Sequence, residues 1–522
     1  AQDISPHSTA TTPTLQQYAQ SFIKFPLLLF LFFRHHRKIT EVVHDPESPS
    51  DSNMYSVNSR SGMPWYCESK PLLLNFFLMA SAFSINHGAV TAVLGLSSQN
   101  LEKDQSRTSN GLLYVFYTLS ALTFASGLVQ STGTKMALCI GLLLYCFYVG
   151  SFLVVRYVAD ATVQWIVLVI GASVGGFAAG WLWTAQGSFF ARTCQLYNDA
   201  TGANPQKTTG ILGGIFAFIY VGFEVILKAM PSFYLSSKGS SAVTNQTDWG
   251  NQTDWVNCTT YFGGGDDTED FKTTIYIVYT IAAVISAAGM FLVRPLPTEE
   301  SEQSATKTSI FSLKKLFLAV DLLFSNLKMA CLVPLNMTFG LVSALVNSYI
   351  NSDVLSESLH DSECKYKFLI LATIPLTAFV LSMPFAYIGQ FTGKLFLMLT
   401  GAVAYVSVSL WILISTTAQF QDLGTAVAGI YVVAGVGRAI FEGTNKAVFA
   451  DFFPKDKEGA FANVIIQNGF SSSVAFFLFP SLGQHTKAGL TLGFAVITIF
   501  TLMIAFAQHK KEKRHAPLLD DA

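Results

Sequence analysis

Twelve apolar stretches, each long enough to cross a bilayer, constrain the fold of this chain more than any other feature. They are predicted at residues 72–96, 111–130, 136–155, 162–190, 209–230, 273–293, 327–350, 367–389, 395–416, 423–447, 460–480 and 487–507. Crossing the hydrocarbon takes about 20 apolar residues in an α-helix, where every backbone polar group has a partner within the segment. Only 12% of the residues are charged, well below the average for soluble domains. The sequence therefore predicts an all-α multi-pass membrane protein.

The fourth stretch contains an uncharged, glycine-rich run from Gly171 to Gly187. Its glycines and alanines recur at three- and four-residue spacing, a pattern that lets two helix backbones approach closely in lipid. The run ends with an indole at Trp183 and a carboxamide at Gln186, which lipid does not favour. We therefore expect this helix to pack closely and to line an interior.

Two short loops resemble each other and indicate an internal duplication. Residues 130–135 (QSTGTK) join the second and third stretches, and residues 390–394 (QFTGK) join the eighth and ninth. The glycine-rich run has a counterpart in Gly429 to Asn445 at nearly the same separation from its loop. Two parallel six-helix repeats are typical of the major facilitator fold, in which the halves enclose a central cavity. The first, fourth, seventh and tenth helices line the cavity in this fold.

The predicted organisation follows from these boundaries. It comprises a disordered cytoplasmic tail (1–70), a first six-helix half (71–293) with an outer loop (231–272), a cytoplasmic linker (294–326), a second half (327–507) and a basic cytoplasmic tail (508–522). Lys and Arg are enriched on the side that carries both termini, which predicts that this side is cytoplasmic. We expect residence in the plasma membrane or an endomembrane.

The outer loop holds three acceptor triplets for glycosylation, at Asn245, Asn251 and Asn257. Their position agrees with the orientation that Lys and Arg predict. Cys258 and Cys364 are the only cysteines expected on the oxidising side of the membrane. They form either a disulfide between two outer loops or two unrelated thiols.

Polar side chains within the helices are the candidate functional residues. Those expected at the central cavity are Asn86, His87, Trp183, Gln186, Asn336, Arg438, Glu442 and Asn445. Arg438 and Glu442 stand four residues apart and can pair on one helix face. The pair serves either a charged solute in the cavity or the interface between the halves. His87 is either a hydrogen-bonded structural group or a proton-linked one.

One further ionisable residue, Glu224, falls near the outer end of the fifth stretch. There it reaches water or pairs with Lys228.

The motifs that are missing limit the classes of function. We find no catalytic motif, no cysteine spacing for a metal, no cofactor motif and no basic patch for nucleic acid in the sequence. A non-enzymatic membrane protein is therefore expected.

Two segments resemble UNC-93-like proteins, a divergent branch of the major facilitator superfamily. They are Trp183–Gly187 (WTAQG) and Phe452–Asn463 (FFPKDKEGAFAN), and the similarity runs from about Pro71 to Gln508. Members of this family lack the charged loop motif of ordinary facilitators after the second helix, and this loop is short here as well. The resemblance implies a regulator of an ion channel, of potassium channel type, or a trafficking partner of other membrane proteins. The alternative is a secondary active transporter of a small solute or ion.

Overall fold

The computed structural model describes residues 65–101, 103–238, 266–297, 318–359 and 365–515. Twelve helices in these ranges are long and apolar enough to cross a membrane. In chain order they are α1 (Ser69–Ser97), α2 (Asp104–Thr132), α3 (Thr134–Arg156), α4 (Ala161–Thr201), α5 (Pro205–Tyr234), α6 (Phe271–Met290), α7 (Leu327–Val354), α8 (Lys367–Thr392), α9 (Lys394–Ile414), α10 (Gly424–Phe452), α11 (Lys457–Ser481) and α12 (Gln484–Arg514). The predicted all-α fold class is confirmed.

Helix α4 is longer than the stretch predicted from hydropathy, which ended at residue 190. It begins after Asp160, whose side chain accepts a hydrogen bond from the Val163 N–H at 3.0 Å. It ends only at Gly202, which adopts the left-handed conformation (φ 68°) that terminates many helices. The final turns are more polar, so hydropathy alone stops short of them.

The same set of helix contacts is formed in each half. In the first half, α4 packs against α2 and α3, and α1 packs against α5 and α6. In the second half, α10 packs against α8 and α9, and α7 packs against α11 and α12. Large apolar side chains such as Phe147, Ile285 and Phe500 are exposed on the outside of the bundle. The two halves therefore repeat one helix arrangement, with apolar surface turned to lipid.

The two similar loops contain glycines with the same backbone conformation. Gly133 has φ 78° and ψ 155°, and Gly393 has φ 82° and ψ 157°. This region of φ and ψ is essentially restricted to glycine. The repeated QxTGxK-like loops thus turn the chain in the same way between α2 and α3 and between α8 and α9.

Glycines also bring the halves together. The first half contacts the second mainly where α2 meets α11 and where α5 meets α8 and α10. A Cβ added at Gly214 would lie 2.2 Å from the Ala386 Cβ, and one at Gly213 would lie 2.7 Å from the Gly443 carbonyl oxygen. Neither position can accept a side chain without movement of its neighbour. Small residues at these crossings therefore permit close contact between the halves.

The close packing predicted for the glycine-rich run is present. A Cβ added at Gly176 would lie 2.1 Å from the Leu113 carbonyl oxygen of α2, and one at Gly180 would lie 2.7 Å from the Ala121 backbone nitrogen. Both neighbours are backbone atoms, which move less readily than side chains. This face of α4 is thus fitted to α2.

Several predicted features lie outside the described residues. They are the glycosylation triplets at Asn245, Asn251 and Asn257 and the cysteines Cys258 and Cys364. Five other cysteines fall in described segments and carry free thiols. Of the linker, the structure describes residues up to 297 and the short helix Leu318–Ser325. Its start is held by Asn75 of α1, whose side-chain oxygen accepts from the Arg294 backbone N–H at 2.7 Å.

Candidate functional site

A cavity of about 190 Å³ lies between the two halves. Residues from the second part of α1, including His87 and Leu94, line it together with Val346 and Asn351 of α7. The cavity therefore extends toward the end of the bundle where residues 231–272 connect α5 to α6, here called the loop side. The opposite end, where α6 leads into the linker, is called the linker side.

Six of the eight residues predicted at the cavity line it. They are His87, Trp183, Gln186, Arg438, Glu442 and Asn445. Asn86 and Asn336 instead lie in contacts between helices. The Asn86 amide donates to the Ala283 carbonyl oxygen of α6 at 2.9 Å, and the Asn336 amide donates to Gln467 of α11 at 2.6 Å. Both are fully buried, and a helix number alone could not tell which face of α1 or α7 they occupy.

The main partner of Arg438 is Glu224, on the other half of the molecule. Its guanidinium donates to both Glu224 carboxylate oxygens, with an Nη1–Oε1 distance of 2.9 Å. The predicted partner, Glu442, lies 4.0 Å from Nε, too far for a hydrogen bond. A planar guanidinium matches a carboxylate best in this bidentate arrangement. The pairing predicted within α10 is therefore secondary to a pair between the halves.

Glu224 is fully buried, which corrects the expectation that it reaches water. The expected pairing with Lys228 is present, with an Nζ–Oε1 distance of 2.7 Å. One carboxylate on α5 thus joins two cations. An isolated charge at this depth is costly, and a paired one that faces a cavity is much less so.

A second ionic contact lies deeper in the cavity, between Glu442 and Lys446 of α10. The two charged groups are 3.8 Å apart, beyond hydrogen-bond distance. The Lys446 ammonium also lies 3.9 Å from the ring centre of Phe216 and 4.5 Å from that of Trp183. Both rings belong to the first half, and the faces of aromatic rings attract cations. Lys446 therefore joins the halves through aromatic contacts.

His87 lies in a group of aromatic side chains. Its ring centre is 4.8 Å from that of Trp183 and 5.5 Å from that of Tyr220. Phe83 stacks on it at 5.8 Å. Among the described residues its Nδ1 has no hydrogen-bond partner. The aromatic group presents a largely apolar wall to the cavity.

Amide side chains link three helices of the second half below the cavity. The Asn445 amide donates to the Asn336 side-chain oxygen at 3.1 Å, and Asn336 donates in turn to Gln467. The Asn463 amide donates to the Ala319 carbonyl oxygen at 2.7 Å, which connects α11 to the short linker helix. Hydrogen bonds of this kind hold membrane helices together. Asn336 and Asn445 thus belong to one network, although only Asn445 reaches the cavity.

On the linker side, polar contacts also cross between the halves. Lys394 Nζ lies 2.5 Å from the Asp451 carboxylate and donates to the Thr209 hydroxyl of α5 at 2.7 Å. Lys457 of α11 donates to the Gln195 side chain of α4 at 2.9 Å. The halves are therefore joined by polar groups at mid-membrane and at the linker side.

Four lining residues that take part in the contacts above were missing from the predicted site. They are Tyr220, Glu224, Lys228 and Lys446. A signal for the charged ones was available, because each is an ionisable residue within an apolar stretch, which marks an interior position by default. No group of three or more potential metal ligands occurs in the described segments.

One protein-family model matches part of this chain. The family model described as "Ion channel regulatory protein UNC-93" matches residues 97–352, which include α4 and its WTAQG segment. Curated relatives named for the same family match across both halves. UNC93-like protein 3 of Arabidopsis thaliana is 23% identical over 74% of this chain and 76% of its own length. The chain is similar to members of the UNC-93 family.

Other relatives and solved structures extend this result. Protein unc-93 homolog A of Homo sapiens is 22% identical over 81% of this chain and 90% of the human protein. The proton:xylose symporter XylE aligns with a TM-score of 0.54 at 11% identity, covering 85% of this chain and 95% of XylE. The transporter FucP in its outward conformation aligns with a TM-score of 0.56 at 12% identity, covering 83% and 98%. These structures show that this chain has the major facilitator fold.

Proposed function

We propose that this protein is a non-enzymatic regulator of an ion channel, of potassium channel type, or a trafficking partner of another membrane protein. The observation that carries the proposal is the match of residues 97–352 to a family described as ion channel regulatory. The structure is compatible with such a role because buried polar contacts join the halves at two levels. Arg438 and Glu224 pair at mid-membrane, and Lys394, Asp451 and Thr209 form a cluster at the linker side.

The direct test is to record channel currents with and without this chain. Potassium channels would be expressed alone or together with the protein, and current would be divided by the amount of channel at the cell surface. A regulator changes the normalised current, and a trafficking partner changes the surface amount. Affinity capture from native membranes in mild detergent should also recover a stable membrane partner. Unchanged currents, unchanged surface amounts and no recovered partner would contradict the proposal.

A secondary transporter is the second candidate, and the charged cavity between the halves favours it. Arg438, Glu224 and Lys446 belong to contacts that span the two halves, so a solute that displaced one partner would loosen the interface. In facilitators, one half rocks against the other around a central site. Purified protein in liposomes should then move a solute down an imposed gradient. Arg438→Ala should abolish that flux while the protein remains folded.

A further inference from the structure

The central cavity contains buried polar atoms that no described residue satisfies. Gln186 of α4 is fully buried, and both its side-chain nitrogen and oxygen are without a hydrogen-bond partner among the described residues. Asn445 Oδ1, Arg438 Nε and Lys446 Nζ of α10 also have none in the described segments. All four residues line the cavity. Because buried polar atoms in folded proteins are nearly always hydrogen-bonded to protein or water, these atoms are available to a small polar molecule as well as to water.

The charge of the cavity indicates the sign of that molecule. Its charged lining residues are three cations, Lys228, Arg438 and Lys446, and two carboxylates, Glu224 and Glu442. The sum of three positive and two negative charges is +1. Glu224 already receives Arg438 and Lys228, whereas Lys446 is held only by an ionic contact at 3.8 Å and by aromatic rings. Lys446 is therefore the cation that remains available to a ligand.

Lys446 of α10 reaches across the cavity to the wall that carries Gln186 of α4. The Lys446 ammonium lies over the Trp183 ring at 4.5 Å. Gln186 follows Trp183 by three residues on α4, so the two side chains share a helix face. This arrangement brings an ammonium donor and an amide donor to one region. A carboxylate accepts from both groups and neutralises the remaining charge.

The rest of the lining is rich in aromatic residues. Rings from both halves contribute, namely Tyr114, Tyr117, Tyr145, Phe339, Phe441 and Phe461. Such walls pack against an apolar or planar body and exclude a fully hydrated inorganic ion. Polar side chains also line the cavity at many positions, and those of Gln186 and Lys446 keep unpartnered atoms that can orient a small organic ligand.

We propose that the central cavity binds a small organic monocarboxylate with an apolar or aromatic body. The carboxylate accepts hydrogen bonds from Lys446 and Gln186, and the body packs against the aromatic walls. The site deepens the second candidate function, but binding requires neither transport nor channel regulation. A binding measurement on the isolated protein therefore fails or succeeds independently of current and flux measurements.

The test uses three probes that share one ring and differ in charge: benzoate, benzamide and benzamidine. Full-length protein in detergent would be titrated with each probe, and the shift in its unfolding temperature would be recorded. We expect benzoate to stabilise the protein, whereas neutral benzamide and cationic benzamidine bind at least about tenfold more weakly. A preference for benzamidine, no preference, or binding of none of the three would overturn the proposal.

Substitutions then test which side chains donate hydrogen bonds to the carboxylate of the ligand. Lys446→Gln should weaken benzoate binding by about tenfold or more, and Lys446→Arg should retain most of it. Lys487→Gln is the matched control, because Lys487 is also a buried lysine over an aromatic ring, Tyr349 at 4.3 Å, but does not line the cavity. It should leave benzoate binding unchanged. Equal losses in Lys446→Gln and Lys487→Gln would contradict the assignment.

Two further variants keep the proposal falsifiable if Lys446→Gln does not fold. Gln186→Leu removes the amide donor with the charge intact and should also weaken benzoate binding. Glu442→Gln raises the net charge of the cavity and should leave benzoate binding equal or tighter. Loss of benzoate binding in Glu442→Gln, with Gln186→Leu unaffected, would contradict the assignment of the carboxylate to Lys446 and Gln186.

Discussion

Helices α4 and α10 occupy equivalent positions in the two halves, yet they differ in chemistry. Helix α4 is uncharged from Gly171 to Gly187 and faces the cavity with Trp183 and Gln186. Helix α10 presents Arg438, Glu442 and Lys446 to the same cavity and contains a π-helical turn at Phe441–Asn445. The repeated fold thus encloses a cavity whose two walls are unlike. One wall supplies rings and an amide, and the other supplies charges.

The partners of these charges lie on the first half. Glu224 of α5 pairs with Arg438, and the Lys446 ammonium lies over the Phe216 and Trp183 rings. A charged side chain at the centre of a membrane helix costs about 2.5 to 3.5 kcal/mol on insertion scales, so each needs compensation. The charged side chains of α10 are therefore stable only when packed against the Glu224 carboxylate and the aromatic rings of the first half. This difference makes the two halves depend on each other.

The strongest test of this dependence is Glu224→Gln. The change leaves Arg438 and Lys228 near each other without their shared carboxylate. Breaking a buried ion pair by removing one partner costs about 3 to 5 kcal/mol. We expect the largest fall in unfolding temperature of the variants considered, measured by thermal unfolding of purified protein in detergent.

A double variant separates the lost pair from a local packing defect. Replacing both members with apolar residues, Glu224→Leu with Arg438→Met, removes the pair and leaves Lys228, whose side chain is 16% exposed, as the cation without its carboxylate. It should recover part of the lost stability, because buried pairs are often replaceable by apolar residues of similar volume. If the double variant is as unstable as Glu224→Gln, the loss of stability arises from the shape of the α5 surface rather than from loss of the pair.

The second test compares how closely α4 and α10 pack. A Cβ at Gly176 of α4 would lie 2.1 Å from the Leu113 backbone oxygen, and one at Gly437 of α10 would lie 2.3 Å from a ring carbon of Tyr405. Backbone atoms move less readily than side chains. Gly176→Ala should therefore lower the free energy of unfolding by about 1 to 3 kcal/mol, and Gly437→Ala should lower it by less. Thermal unfolding measures both.

Gly489→Ala of α12 is the control for these glycines, because its added Cβ would meet nothing within 4 Å. It should be neutral or slightly stabilising, since alanine favours the helix. If Gly489→Ala lowers stability as much as Gly176→Ala does, helix propensity rather than close contact determines the effect of alanine at these positions.

Features that depend on local sequence were predictable. Hydropathy predicted the twelve helices, and the spacing of small residues predicted the close approach of α4 to α2, because each is a property of one segment. The partner of Arg438 was not predictable in this way. Glu224 lies 214 residues away in sequence, so the nearest carboxylate on the same helix, Glu442, was chosen instead.

The prediction that two asparagines line the cavity was wrong for a related reason. Asn86 and Asn336 lie on helices that line the cavity, and the sequence does not specify their orientation about the helix axis. The structure turns both toward neighbouring helices. A position on a cavity-lining helix is therefore weaker evidence for a site than a charge within it.

The smallest effects are expected at these two asparagines, and they sharpen the comparison between the halves. Asn336 accepts from Asn445 and donates to Gln467, so Asn336→Leu leaves two side-chain amides without that partner. Asn86 donates to the Ala283 backbone carbonyl in the middle of α6, an oxygen that also accepts within its own helix. Interhelical hydrogen bonds in membranes are worth about 0.6 kcal/mol on average and up to about 2 kcal/mol. Thermal unfolding should therefore show a loss of about 1 kcal/mol for Asn336→Leu and a smaller one for Asn86→Leu. The reverse order would mean that the first half, rather than the second, relies more on buried amides.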